Sequence, residues 1–296
     1  MAPPPNAFTV DLEDYFQVSA FDRAVRRDDW PSFDRRVVAN TRRMLDLLDR
    51  HAVRATFFVL GWIAEREPDL VREVRARGHE IASHGYEHRL VYDQSPDAFR
   101  RDVRRSRDLL ERLTGSPVVA YRAPSFSITK KSLWALEILA EEGFRIDASI
   151  FPIYHDRYGI PDANPAIHKI ATRRHPLWEI PGSTVRVGRL NLPVGGGGYL
   201  RLYPFPLTLR LLARINRKHG RPFILYVHPW ELDPGQPRIN TGSRLTHFRH
   251  YRNLNKTEPR LDALLTRFPF APLSDILPAG NGQTSEMSNA EIQMTK

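Results

Sequence analysis

The chain has no cysteine among its 296 residues, which excludes disulfide bonds and thiolate metal sites. Any metal ion must therefore be bound by histidine, aspartate or glutamate. No segment approaches the roughly 20 consecutive apolar residues that a membrane-spanning helix needs. The first residues also lack the basic and apolar regions of a secretory signal peptide. The absence of a membrane span and of a signal peptide predicts a cytoplasmic protein, with peripheral contact to a membrane surface left open.

Lysine is scarce, and arginine supplies nearly all of the 44 basic residues of the chain. There are 34 acidic residues. The formal net charge of +10 would suit a nucleic-acid binder. However, the arginines alternate with other residues, as in residues 100–105, and no zinc-finger, helix-turn-helix or RNA-recognition signature accompanies them. We therefore expect solvated helix faces and no nucleic-acid partner. A basic face would still attract anionic glycans or lipid phosphates.

Apolar runs alternate with segments of helical periodicity along most of the chain. The predicted strands cover residues 7–10, 55–60, 79–82, 118–121, 144–146 and 222–227. The predicted helices cover residues 34–50, 68–78, 96–113, 130–142, 205–219 and 258–267. This alternation predicts an α/β fold with a parallel sheet, either open or closed into a barrel. We expect a Pro-rich lead at residues 1–5, a single domain at 6–277 and a disordered polar tail at 278–296.

The middle third, about residues 150–200, is rich in proline and glycine and is expected to be irregular. It contains four consecutive glycines at residues 195–198. No Lys-Ser or Lys-Thr pair follows them, so they do not form a phosphate-binding loop. A flexible or close-packed loop near a ligand is the better interpretation.

Two histidines, His84 and His88, are four positions apart directly after a predicted strand. On a helix or tight turn both rings can reach one ion. A lone pair with this spacing is more often two surface histidines than a metal site. The carboxylate cluster Asp11, Glu13 and Asp14 raises the odds, because it also follows an apolar run.

Five chemically useful side chains fall at or within two residues of a predicted strand end. They are Asp11, His84, Arg122, Asp147 and His228. In a (β/α) barrel the active site lies at the carboxyl ends of the strands. A carboxylate with two histidines can hold a metal ion that activates water, a second carboxylate can act as base, and a further histidine can protonate a leaving group. Such a set suits hydrolysis of an amide or ester.

The chain resembles the polysaccharide deacetylases of the NodB-homology type, carbohydrate esterase family four, in the branch found with exopolysaccharide and exosortase genes. The motifs that carry the resemblance are residues 9–16, 83–88, 121–125, 147–152 and 225–231. The resemblance covers about residues 6–275 and implies an irregular (β/α)7 barrel. It also implies removal of acetyl groups from N-acetylated sugars.

Matching these motifs residue by residue implies a role for each candidate side chain. Asp11 would be the base, paired with Arg122, and His228 would be the acid, tuned by Asp147. His84 and His88 would bind a divalent metal, zinc first and iron, cobalt or nickel as alternatives. The first motif departs from the usual pattern, since Leu12 follows Asp11 and Tyr15 replaces a glycine, so the third ligand is either Glu13 or Asp14. Tyr15, Leu225 and Trp230 are expected to contact substrate, with Leu225 lining the acetate pocket.

The leading hypothesis is a metal-dependent deacetylase acting on an N-acetylhexosamine in an exopolysaccharide or its lipid-linked precursor. One alternative is a hydrolase of another small amide, with an allantoin-like C–N bond, on the same scaffold. A second is a catalytically silent glycan-binding protein. The complete set of acid, base and ligands argues against the silent protein.

Overall fold

The computed structural model describes residues 5–278. Most of the expected lead and tail, residues 1–4 and 279–296, lies outside the described residues. The strands are β1 (Asn6–Leu12), β2 (Thr56–Val59), β3 (Glu80–Ser83), β4 (Ala120–Tyr121), β5 (Ile146–Asp147), β6 (His168–Ile170), β7 (Leu177–Glu179), β8 (Thr184–Val187), β9 (Leu190–Pro193), β10 (Ile224–Val227) and β11 (Phe270–Ala271). The helices are α1 (Val37–Arg50), α2 (Gly61–Arg66), α3 (Pro68–Ala76), α4 (Pro96–Thr114), α5 (Trp134–Glu141), α6 (Gly197–Leu202), α7 (Phe205–His219), α8 (Arg244–Tyr251) and α9 (Thr257–Arg267).

Parallel strands form one curled sheet in the order β10-β1-β2-β3-β4-β5-β7, with β6 antiparallel on the outer side of β7. β11 adds a short parallel pairing to β1. At the β10 end of the sheet, the segment between β9 and α6 lies beside β10, and the backbone N–H of Tyr226 donates to the carbonyl of Gly195. The arrangement confirms the predicted α/β class and is consistent with an irregular seven-stranded barrel.

The two faces of the sheet carry different side chains because residues alternate along a strand. On β1, Phe8, Val10 and Leu12 belong to the large apolar core, which includes the buried faces of the helices. Ala7 belongs instead to a smaller cluster of mostly small or aliphatic residues on the inner face of the sheet. Asp11 shares the inner face with Ala7, since it is four residues further along β1. The alternation therefore directs Asp11 into the interior of the curled sheet.

Most predicted helices agree with the structure to within a few residues, and α4 shows why. Ser95 caps its N-terminus by accepting a hydrogen bond from the backbone N–H of Ala98, and Pro96 occupies the first turn. Gly115 ends it in the left-handed conformation, with φ of 63°. These local signals can be recognised in the sequence without any tertiary contact.

The irregular middle third was predicted wrongly, since it contains β6, β7, β8, β9 and the start of α6. These strands have three or four residues each, too few to show a clear period. Helices α2 and α8 were also missed. No helix in residues 5–278 is long and apolar enough to cross a membrane.

Candidate metal centre and active site

The carboxylate of Asp11 and the guanidinium of Arg122 form a buried ion pair at the end of the central strands. Nη1 of Arg122 donates to Oδ1 of Asp11 at 2.7 Å and to the hydroxyl of Thr9 at 2.8 Å. The ring of Phe58 lies against the guanidinium, 4.2 Å from Cζ to the ring centre. Both charged groups are almost fully buried, and Oδ2 of Asp11 is directed towards the site.

Glu13, His84 and His88 form a buried group whose ligand atoms all lie within 4.8 Å of one another, as a metal site requires. Nε2 of His88 lies 2.8 Å from Oε2 of Glu13. Nevertheless, Oε2 of Glu13 is a buried oxygen without a hydrogen-bond partner among the described residues. A buried carboxylate oxygen and an imidazole nitrogen that are close but not hydrogen bonded fit a shared cation.

The second nitrogen of each metal-facing ring has its own contact. Nδ1 of His84 donates to the backbone carbonyl of Arg122 at 2.8 Å, which leaves Nε2 unprotonated for an ion. Nδ1 of His88 lies 3.4 Å from the hydroxyl of Ser19. His88 and Ser125 both adopt positive φ, 53° and 51°, an uncommon conformation for residues with a side chain. Such strain is typical of functional sites.

Electrostatics favour the ligating protonation states. Burial lowers the pKa of His84 to about 4, so the ring is neutral near pH 7. Burial alone would raise the pKa of Glu13, but the facing His88 and His228 reverse this and lower it to about 2. A neutral imidazole beside an ionised carboxylate is the state that a divalent cation needs.

His228 begins the short 3₁₀ turn that follows β10, and the same turn returns Glu231 to its ring. Nδ1 of His228 lies 2.8 Å from Oε1 of Glu231, while its Nε2 lies 3.5 Å from Oε1 of Glu13 and 3.9 Å from Oδ2 of Asp11. Burial disfavours the charged ring, yet the contact with Glu231 and the nearby carboxylates raise the pKa of His228 to about 9. His228 therefore carries a proton near neutral pH.

Glu231 is in turn held by Arg201 of α6, whose Nε donates to Oε2 at 2.7 Å. Nη1 of Arg201 donates to the backbone carbonyls of Arg249, His250 and Arg252, so this guanidinium also ties α8 to the site. Both side chains of the pair are buried. The sequence analysis missed Arg201, because its partner lies 30 residues away. Glu231 was inside a recognised motif but was given no role.

Trp230 stacks between two histidines. Its ring lies nearly parallel to His228 and to His250 of α8, with centroids 5.1 and 4.2 Å apart. Its Nε1 donates to Oε1 of Glu13 at 3.3 Å. Trp230 thus orients both a metal-facing carboxylate and the protonated histidine, and His250 is a further residue that the sequence did not indicate.

The structure places two of the predicted site carboxylates away from their expected partners. Asp14 does not face the metal group, because its Oδ2 accepts the backbone N–H groups of Arg36 and Val37 at the start of α1. Asp147 does not contact His228. It accepts a hydrogen bond from Ser149. It also lies beside the buried Glu179 of the adjacent β7, and burial together with the negative charge of Asp147 raises the pKa of Glu179 well above its usual range.

Two predicted substrate contacts also need correction. Tyr15 is fully buried against Phe16 and Phe33, away from solvent. Leu225 packs in the helix-side core, because it is three residues from His228 and strand alternation directs it to the other face. Tyr226 lies on the inner face instead. Its ring centre is 5.7 Å from the guanidinium carbon of Arg122 and 6.3 Å from the ring of His228.

The glycine run is close packed, which was one of the two predicted alternatives. A Cβ on Gly196 would collide with the ring of Tyr226, and one on Gly197 would collide with the carboxylate of Glu231. Gly198 has open space around it. The run lets the backbone approach the residues that surround His228.

Residues 27–144 match the family described as polysaccharide deacetylase. Residues 148–278 match a domain of unknown function, DUF3473. The first family covers residues of the metal-facing group, His84 and His88, and the second covers His228.

Curated relatives align with only part of the chain. A peptidoglycan-N-acetylglucosamine deacetylase of Bacillus cereus is 36% identical over 98 residues, which are 33% of this chain and 36% of that protein. A chitooligosaccharide deacetylase of Rhizobium leguminosarum bv. trifolii is 31% identical over 114 residues, 38% of this chain and 49% of that protein. The alignments thus span less than half of either relative.

One solved structure matches almost the whole chain. It is a putative polysaccharide deacetylase from Mycobacterium smegmatis, with a TM-score of 0.60, 19% identity and 96% coverage of both chains. At this identity the likeness establishes the fold, in agreement with the expected barrel type.

Proposed function

We propose that this protein is a metal-dependent deacetylase that hydrolyses the N-acetyl group of an N-acetylhexosamine in a glycan. The observation that carries the proposal is the convergence of a metal-facing group and a protonated histidine on one carboxylate. Glu13 lies 2.8 Å from Nε2 of His88 and 3.5 Å from Nε2 of His228. The peptidoglycan and chitooligosaccharide deacetylases among its relatives support an N-acetylglucosamine-type substrate.

Glu13, His84 and His88 would hold the divalent ion, for which zinc suits the donor set of one carboxylate oxygen and two imidazole nitrogens. Such an ion lowers the pKa of bound water and polarises the amide carbonyl. Ser19 and the carbonyl of Arg122 keep the two rings oriented towards it.

Asp11 would act as the general base. Arg122 occupies Oδ1 of Asp11, so Oδ2 would accept the proton of the attacking water. His228 would act as the general acid. Its Nε2 would carry the proton that the leaving amine needs when the C–N bond breaks. The side chain of His228 is 19% exposed, whereas those of Glu13 and His88 are each 3% exposed. Substrate would therefore approach from the His228 side.

An exopolysaccharide or its precursor is the substrate class to test first, because the motifs resemble the exopolysaccharide branch. The test is acetate release from N-acetylglucosamine oligomers and from an N-acetylated exopolysaccharide, before and after a chelator and after return of zinc. Allantoin serves as the small-amide alternative. Variant H84Q should lose activity and bound metal together, whereas H219Q, an exposed histidine at the end of α7, should keep both.

Acetate release that survives complete metal removal would contradict the metal-dependent mechanism. Turnover of allantoin with no acetate release from any glycan would favour the small-amide alternative. Binding of oligomers without turnover of any substrate would favour a silent glycan-binding protein.

A further inference from the structure

The positive charge of this protein is concentrated in one segment. Residues 180–230 contain no aspartate or glutamate but eight arginine or lysine residues, and this segment accounts for most of the formal net charge of +10. Helix α7 lies inside it and has no acidic residue of its own. Many arginines elsewhere are paired with carboxylates, as where Arg104 pairs with Glu142 at 2.7 Å and Arg42 with Glu73 at 2.9 Å.

Four arginines surround a cavity of about 390 Å³ on the outer face of α7. Arg210, Arg214 and Arg217 come from three turns of α7, and Arg267 comes from the end of α9. All four are exposed, and within residues 5–278 none of them takes part in an ion pair. Four like charges around one cavity repel each other, so the arrangement favours occupation by an anion.

The cavity also has an apolar part, formed by Pro206, Leu209 and Ala213 between the arginines. The opposite face of α7, with Leu211, Leu212 and Ile215, packs in the core. The cavity is therefore separate from the deacetylase site, and its lining shares no residue with that site. Its volume lies at the lower end of the range of small-molecule pockets, roughly 300–1,000 Å³.

We infer that this arginine-lined cavity binds a phosphate-bearing group with at least two negative charges, a diphosphate or the phosphate of an anionic lipid. The planar guanidinium matches phosphate oxygens in a two-point contact. Four such groups around one open cavity suit a ligand that brings several negative charges to it. An acidic polysaccharide, with one charge per sugar spread along a chain, matches the cavity less well. The apolar part accepts the group that carries the phosphate.

The test compares two double variants that remove the same charge. R210Q/R214Q alters the cavity, and R101Q/R112Q removes two exposed arginines of α4 that also lack an ion pair in the described part of the chain. Calorimetric titration of the full protein with inorganic diphosphate should show binding to the parent protein. That binding should be roughly 10- to 100-fold weaker in R210Q/R214Q and nearly unchanged in R101Q/R112Q.

A second arm identifies the source of the phosphate. Vesicles of phosphatidylcholine with phosphatidic acid should sediment the protein, and vesicles of phosphatidylcholine alone should not, if lipid is the source. Binding of diphosphate without vesicle binding would assign a soluble phosphate ligand, and both results support the inference. Thermal unfolding checks that each variant is folded. If R210Q/R214Q does not fold, the single variant R217Q is used in its place.

Three outcomes would overturn the inference. The first is that neither diphosphate nor the anionic vesicles bind the parent protein. The second is equal loss in R210Q/R214Q and R101Q/R112Q, which would show a general charge effect. The third is that polygalacturonate, which represents an acidic polysaccharide, binds at this cavity whereas diphosphate and the phosphatidic acid vesicles do not.

Discussion

Nδ1 of His228 lies 2.8 Å from Oε1 of Glu231, a residue only three positions further along the chain. The turn that follows β10 creates this contact, and Arg201 secures it from the other carboxylate oxygen. The carboxylate that tunes the proposed acid is therefore part of the same motif as the histidine. It does not come from β5, where the sequence placed it in Asp147.

The first prediction concerns the pH dependence of activity. Replacing Glu231 by glutamine removes the negative charge that helps to raise the pKa of His228 to about 9. The acid then loses its proton at lower pH, so the alkaline limb of kcat/KM should move down by roughly one to three pH units. Measuring kcat/KM against pH tests this. D147N should leave the limb in place, and a shift in D147N without one in E231Q would restore the original assignment.

The second prediction separates the two carboxylates of the first motif. E13Q should lose bound metal, because Glu13 faces His84 and His88. Asp14 caps α1, so D14A should keep the metal but lower the free energy of unfolding by about 0.5–2 kcal/mol. Elemental analysis and urea unfolding give the two readouts. Metal loss in D14A with normal metal in E13Q would reverse the ligand assignment.

The third prediction concerns the buried pair of Asp147 and Glu179. Burial and the charge of Asp147 raise the pKa of Glu179 well above its value of 4.5 in an unfolded chain. The folded protein thus holds a proton that the unfolded chain releases. Its stability is highest below the unfolded pKa and declines as the pH rises towards the folded pKa.

E179Q keeps a neutral, hydrogen-bonding side chain and removes this titration. The variant should be more stable than the parent protein at mildly alkaline pH, by about 1.4 kcal/mol for each unit by which the pKa was raised. At acidic pH the two should be alike. Urea unfolding at both pH values measures the difference, and a variant that is equally destabilised at both would show that the ionised carboxylate is needed.

The fourth prediction uses two adjacent glycines. A Cβ on Gly197 would collide with the carboxylate of Glu231, whereas one on Gly198 meets open space. G197A should therefore displace Glu231 from His228 and reduce kcat/KM, while metal content stays normal. G198A should retain activity near that of the parent protein. Equal activity in the two variants would mean that the position of Glu231 does not matter for turnover.

Much of the fold could be predicted because it depends on local signals. α4 has its capping serine, proline, apolar spacing and terminal glycine within the segment itself. The placement of Asp11, His84, Arg122 and His228 at strand ends followed from the alternation of strands and helices, and the structure brings these four together. The position of Tyr226 on the inner face was also available, because it is two residues before His228.

The sequence by itself therefore determined the order of most parallel strands and longer helices, the groups Asp11, His84, Arg122 and His228 at the carboxyl ends of the strands, and the exclusion of cysteine ligands. Only the tertiary structure decided which carboxylate contacts which histidine or arginine side chain. Asp14 and Glu13 are neighbours, yet one caps α1 and the other faces two histidines. Arg201 reaches Glu231 across 30 residues. Side-chain contacts of a few ångströms depend on how distant segments pack, and no periodicity along the chain records that packing.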